Sequence, residues 1–325
     1  MEFNIAERVG YSLMKLFLET FISLSPLYVY ILIGVFLRKR KTIEREFLPK
    51  MNQLSFRVFL PILIFCNIYA ADFDFGESLG AITYSVIAFV VLFFGLIIVV
   101  PRFVKDGGLA ATAVQGMFRS NFSLLGIIYV CQLFGADHIG EATILVAIIS
   151  PLFNVLAVLC FSFLTGKTQK PSTMILKIVT NPLIVATVAA FVVRGIGFRM
   201  PAMILNPLSA IADAATPFAM VTIGASLTLA GMKKSSRLLV GVSIVKLIVA
   251  PLIFVAGAAL FGFRGVTLVA ILAAFGGPGA ISSAAMADQL GGDGELAGEI
   301  IAVTTLVSLP TMYLFVVLLR ALGLC

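Results

Sequence analysis

The chain has 325 residues, of which 60% are hydrophobic and 12% charged, with a mean hydropathy of +1.10. That balance excludes a soluble globular domain and defines an integral membrane protein. A net charge of +7 invites a nucleic-acid reading, but the basic residues fall in alternate loops instead of one patch, so no nucleic-acid partner is expected.

Stretches able to cross ~30 Å of hydrocarbon at ~20 residues each can be drawn at 18–38, 53–71, 79–101, 109–133, 142–165, 174–197, 205–230, 237–261, 266–290 and 299–322. The expected fold is therefore all-α, with ten transmembrane helices. No polar stretch is long enough for a folded extramembrane domain, and no removable signal peptide is read at the N-terminus. One loop carries Arg38, Lys39, Arg40, Lys41, Arg45 and Lys50, another Lys167 and Lys170, a third Lys233, Lys234 and Arg237. The loops with Asp72, Asp74 and Glu77, and with Asp137, His138 and Glu141, hold no Lys or Arg. By the positive-inside rule both termini lie outside a plasma (inner) membrane, and the basic loops meet anionic lipid heads.

The chain repeats itself. Pro26, Arg38 and Pro61 recur as Pro182, Arg194 and Pro217 at an offset of 156 residues, which carries Arg119-Ser120-Asn121 onto Phe275-Gly276-Gly277. Gln132 falls opposite Gln289 after a one-residue slip. Repeats with an odd number of spans must lie in opposite orientations, with a site at their interface. The expected organisation is a first five-span repeat over 1–165, a short cytoplasmic connection over 166–173 and an inverted second repeat over 174–325.

Within span nine, Gly276, Gly277, Pro278 and Gly279 form a segment with poor helical tendency and a missing donor, which must face protein or water. Its counterpart in span four clusters Arg119, Ser120 and Asn121 near mid-membrane without a proline. If both spans break and cross there, their half-helix N-termini direct partial positive charge at one spot, which favours an anion. Arg119 sharpens this: a mid-span guanidinium costs at least ~2.5–3.5 kcal/mol and matches a carboxylate bidentately. It pairs with substrate or an internal acid, or else bonds carbonyls freed in span nine. The glycines have a second reading, close helix packing. Asp213 in span seven and Lys246 in span eight are read either as coupling groups or as partners of one another. Asn52, Asn154 and Asn181 are candidates for holding kinked backbone.

No nucleotide-binding loop, no HExxH and no strand-linked GxGxxG is present, so neither an enzyme nor ATP-driven transport is expected. Cys66, Cys131, Cys160 and Cys325 lack CxxC spacing and His138 is the only histidine, so no metal site or other cofactor is expected. H+ or Na+ remains as a coupling ion.

Several segments together carry a family resemblance: FRSNFSLLG at 118–126, NPLI at 181–184, ADAATPFAMVTIGASL at 212–227, KLIVAPL at 246–252 and TTLVSLP at 304–310. In their order and spacing they resemble the auxin efflux carrier family, the permeases that include bacterial malate and malonate carriers and are related to plant PIN-type auxin exporters. The resemblance covers nearly the whole chain. It implies two inverted five-span repeats with spans four and nine crossing at the site, a static scaffold of spans one, two, six and seven, and an elevator motion of the rest. The long cytoplasmic loop of the plant carriers is missing here, and so is their proline in span four. The function expected is secondary active transport of a small organic anion, a mono- or dicarboxylate, bound by Arg119, Ser120, Asn121 and the backbone of Gly276 to Gly279. The alternatives are a sodium- or proton-coupled carrier of the bile-acid or cation-antiporter type and a non-transporting membrane sensor. A homodimer through the scaffold spans is compatible with the pattern.

Overall fold

The computed structural model describes residues 5–70, 75–135, 138–166, 180, 182–226, 236–280 and 282–325. The connection at 167–173, Asn181, the acidic residues Asp72, Asp74 and Asp137, and Lys233 and Lys234 lie outside the described residues, and so do the side chains of Asn52 and Glu77.

Among the described residues every named element is helical: α1 (Ile5–Lys39), α2 (Leu48–Leu54), α3 (Leu60–Ala70), α4 (Phe75–Phe103), α5 (Gly107–Phe118), α6 (Phe122–Phe134), α7 (Ile139–Thr165), α8 (Pro182–Gly195), α9 (Ala202–Ser226), α10 (Ser236–Ile244), α11 (Ala250–Leu260), α12 (Gly265–Gly276), α13 (Ser282–Leu290) and α14 (Gly294–Ala321). Five helical stretches are long and apolar enough to cross a membrane: Ser78–Phe103, Ile139–Thr165, Ala202–Ser226, Arg237–Leu260 and Gly294–Ala321. This is an all-helical, multi-pass membrane protein. Helix α1 begins at Ile5, well before the apolar stretch that starts at residue 18.

The apolar content is distributed as lipid requires. On α4, Phe89, Phe93, Leu96 and Val100 are buried, while Ile87, Val91, Phe94 and Ile98 form an exposed stripe on the opposite side. A helix apolar on all faces is stable with one face in a core and the other in hydrocarbon.

Single π turns join α2 to α3 (Ser55–Phe59) and α10 to α11 (Val245–Val249), and each lies two residues ahead of a proline, Pro61 or Pro251. Leu60 N–H bonds Ser55 O and Ala250 N–H bonds Val245 O, five residues back. A proline ring crowds the carbonyl four residues before it, and the wider turn lets the helix continue past that point.

The helices sort into two groups. Helix α1 packs chiefly on α9, and α3 on α8 and α9, while α4 to α7 and α11 to α14 pack on one another. In the first group a Cβ on Gly34 would stand 2.1 Å from Val221 O, and one on Gly224 2.1 Å from Ile31 O. Only glycines permit the backbones of α1 and α9 to touch in this way. In the second group, Phe254, Phe275 and Phe89 stack at centroid spacings of 4.8 and 3.9 Å, with Phe153 edge-on to Phe89 at 4.7 Å. Phe118 joins through Phe93 and Phe153. This cluster fixes the ends of α5 and α12, where the candidate site begins.

Candidate functional site

Two helices break and cross at one place. Helix α5 ends at Phe118 and α6 begins at Phe122; α12 ends at Gly276 and α13 begins at Ser282. Between the breaks, Ser120 and Gly279 form an antiparallel β-bridge, and Asn121 N–H donates to Pro278 O at 2.7 Å. The first break needs no proline: Arg119 is extended (φ −78°, ψ 123°) and the backbone groups this frees are taken up by the other break. The half-helices leading in, α5 and α12, are each 12 residues long and start at Gly107 and Gly265, an offset of 158. The 156-residue register set by the prolines is thus two residues out at the crossing, because the stretch from Pro217 to Gly265 is two residues longer than that from Pro61 to Gly107.

The glycines divide by role. A Cβ on Gly277 would lie 2.5 Å from Ala273 O and 2.6 Å from Ser120 Oγ, so the crossing demands glycine there. At Gly279 the nearest atoms would be 3.5 Å away, an ordinary contact, and its N–H donates to Thr304 Oγ1 at 3.0 Å. Gly276 stands off the crossing: a Cβ there would meet Met312 Sδ at 3.1 Å and Pro251 Cγ at 3.2 Å, so its smallness lets α12 pack on α14 and α11. Ser120 Oγ donates to Ala273 O at 3.4 Å.

Arg119 is 5% exposed. Its Nη2 donates to Asn154 Oδ1 of α7 at 2.7 Å and to Ser282 Oγ, the first residue of α13, at 2.9 Å, while Nη1 contacts the Met286 sulfur. Lys246, on the π turn after α10, is fully buried, and its Nζ donates to Phe118 O at 3.2 Å. Among the described residues no carboxylate pairs with either cation. Two buried cations thus lie at the crossing, Lys246 on the C-terminal carbonyl of α5 and Arg119 on the first residue of α13, where the partial charges of the half-helix N- and C-termini oppose one another.

Asp213 is not Lys246's partner. It is exposed on α9 and lies within electrostatic reach of the Cys66 and Cys131 thiols, on α3 and α6. Asn121 lines a cavity of about 70 Å³ between α9 and α14, with Ile223, Ser226, Ile301 and Thr305, that Arg119 does not line. A wider surface cavity of about 570 Å³ opens where α5 begins and α13 ends. Of its carboxylates, Asp106 and Asp293 cap helices by accepting from Leu109 N and Leu296 N, each at 2.8 Å.

Thr304, Ser282 and Met286 were not among the candidates read from sequence. Each lies on a face set by the crossing, and only the Ser-Ser pair just after a Pro-Gly break hints at one of them.

Apolar spans, two broken helices that cross and a buried arginine beside the crossing, with no acid paired to it among the described residues, are what a membrane transport protein would require. The family model described as membrane transport protein matches residues 20–316. The chain belongs to that family, the auxin efflux carrier family. No curated protein matches it.

Proposed function

We propose that the protein is a secondary active carrier of small organic anions, mono- or dicarboxylates, with the anion held at the crossing of the two broken helices. The observation that carries this reading is the setting of Arg119: a guanidinium buried among Asn154, Ser282 and Met286, with no acid paired to it among the described residues. Desolvating a cation costs several kcal/mol unless an opposite charge offsets it, and a carboxylate binding there supplies that charge through two parallel hydrogen bonds.

Ten spans in two inverted repeats follow if α2 with α3, α5 with α6, α10 with α11 and α12 with α13 each make one crossing. The equal lengths of α5 and α12 support that pairing. Both termini then lie outside a plasma (inner) membrane. The separate packing of α1, α3, α8 and α9 supports an elevator in which these helices stay fixed. The 70 Å³ between α9 and α14 holds about two waters, well short of the several hundred Å³ of a ligand pocket. The two groups of helices must therefore separate to load substrate from that side. Exposed Asp213, clear of Lys246, is our candidate for carrying a coupling H+.

The test is counterflow of labelled malate, malonate and indole acetate in proteoliposomes at two pH values, wild type against Arg119→Ala. Saturable exchange of at least one acid, lost in the variant, is expected. Exchange that survives the substitution makes Arg119 structural, and no exchange of any acid removes the carrier reading.

A further inference from the structure

We propose that Gln115 and Ser283 determine specificity at this site, and that the substrate is a short acid bearing a hydroxyl beside its carboxylate. The inference rests on the organic-anion reading above. Gln115 is fully buried, and neither atom of its carboxamide has a hydrogen-bond partner; Ser283 is 4% exposed and its Oγ also has none. Buried polar groups in native proteins almost always find a partner, so orphans at a binding site point to what binds there. Two other buried hydroxyls without partners, Ser55 and Ser85, lie on the π turn before α3 and on α4, elements that do not carry the break residues.

Position ties Gln115 and Ser283 to Arg119. Helices α5 and α13 run side by side: Gly108 abuts Gly291 and Gly292, Thr112 Oγ1 accepts from Asp293 N at 2.9 Å, and Arg119 reaches Ser282 and Met286. Gln115 sits between Thr112 and Arg119 on the same face of α5, one turn before Arg119, whose N–H bonds Gln115 O at 2.9 Å. Thr112 and Arg119, which flank Gln115, both make contacts to the α13 segment, at Asp293 N and Ser282 Oγ. Ser283 follows Ser282, which Arg119 bonds.

The chemistry narrows the ligand. A carboxylate only accepts, so it would satisfy Gln115 Nε2 and leave Oε1 orphaned. A hydroxyl donates and accepts, and satisfies both. An aryl acid finds no open ring face: Phe118, Phe153, Phe89 and Phe275 are packed on one another and fully or almost fully buried, and Phe122 at the start of α6 is 1% exposed.

The experiment measures counterflow of the full-length protein in proteoliposomes, with lactate against propionate and malate against succinate, in wild type, Gln115→Leu and Ser283→Ala. Thermal melting of each is recorded in detergent. Wild type should favour the hydroxylated member of each pair by about tenfold or more, since a site built to hydrogen-bond a hydroxyl rejects the analogue lacking it. Gln115→Leu should abolish that preference while exchange of the unsubstituted acid persists. Ser283→Ala, which deletes one oxygen, should weaken the preference and supplies the readout if Gln115→Leu does not fold. Equal exchange of both members by wild type, or a preference retained in both variants, overturns the inference and leaves the carrier reading standing. Absence of exchange for every acid removes the carrier reading, and this inference with it.

Discussion

The ammonium of Lys246 donates to the carbonyl of Phe118, 3.2 Å away, at the last residue of the first half-helix. A helix C-terminus leaves carbonyls without intrahelical donors and carries partial negative charge, so a cation there both caps and neutralises it. The next residue is Arg119, and the two buried cations are joined through a single peptide unit. Lys246 therefore caps the break, and under the proposed function its charge would also act on a bound anion.

Replacing Lys246 with Met separates these effects. At about 10 Å and an effective dielectric near 20, the ammonium attracts an anion by roughly 1.7 kcal/mol. Lys246→Met should therefore raise the KM for exchange about fifteen- to twentyfold. Folded yield should hold, because the desolvation cost of the ammonium disappears along with its one hydrogen bond. A KM equal to wild type would confine Lys246 to capping.

Arg119→Lys should fail to restore what Arg119→Ala loses. One guanidinium nitrogen bonds Asn154 and Ser282 together while the other faces Met286, and a compact ammonium cannot hold that planar geometry and present a fork to a carboxylate. A loss of at least about a hundredfold in kcat/KM is expected, corresponding to about 2.7 kcal/mol. Recovery to within a few-fold of wild type would mean that charge alone suffices.

Much of this was legible in the sequence. The crossing was, because glycines and a proline mid-span have no cheap place in lipid unless another chain segment takes up the freed backbone groups. The first break, without a proline, was located as the repeat counterpart of the second and by its cluster of polar residues, and it falls on Arg119, Ser120 and Asn121. Side-chain direction was not legible. Arg119 and Asn121 are two residues apart, yet Arg119 bonds α7 and α13 while Asn121 lines the cavity between α9 and α14; a regular strand would put both on one face, and the break is not regular, since Asn121 leaves the extended conformation (φ −77°, ψ 50°). The register slip was legible only in part, as the one-residue offset of Gln132 against Gln289.

Glycine substitutions test the crossing directly. Gly277→Ala should abolish folded, active protein, since its Cβ would meet a backbone carbonyl at 2.5 Å, whereas Gly279→Ala should fold and exchange near wild-type rates. On the scaffold side Gly224→Ala should lower the melting temperature sharply through its 2.1 Å approach to Ile31 O. Gly95→Ala, with no atom within 4 Å, should raise it slightly through helix propensity worth up to ~1 kcal/mol. Indifference at Gly277 or Gly224 would contradict the close approaches described.

Thr304 supports the second break from behind. Its Oγ1 accepts from Gly279 N at 3.0 Å and donates back to Ile300 O at 2.6 Å, and the side chain is fully buried. Thr304→Val keeps the shape and removes both bonds, leaving the Gly279 N–H buried without a partner at a cost of ~1–3 kcal/mol. Thr304→Ser keeps the hydroxyl. In thermal melts Val should therefore be destabilised and Ser close to wild type. In counterflow Val should slow exchange more than its loss of folded protein explains, because a loosened Gly279 no longer fixes Ser120 and the adjoining Arg119. Equal behaviour of Val and Ser would show that the hydroxyl does not hold the crossing.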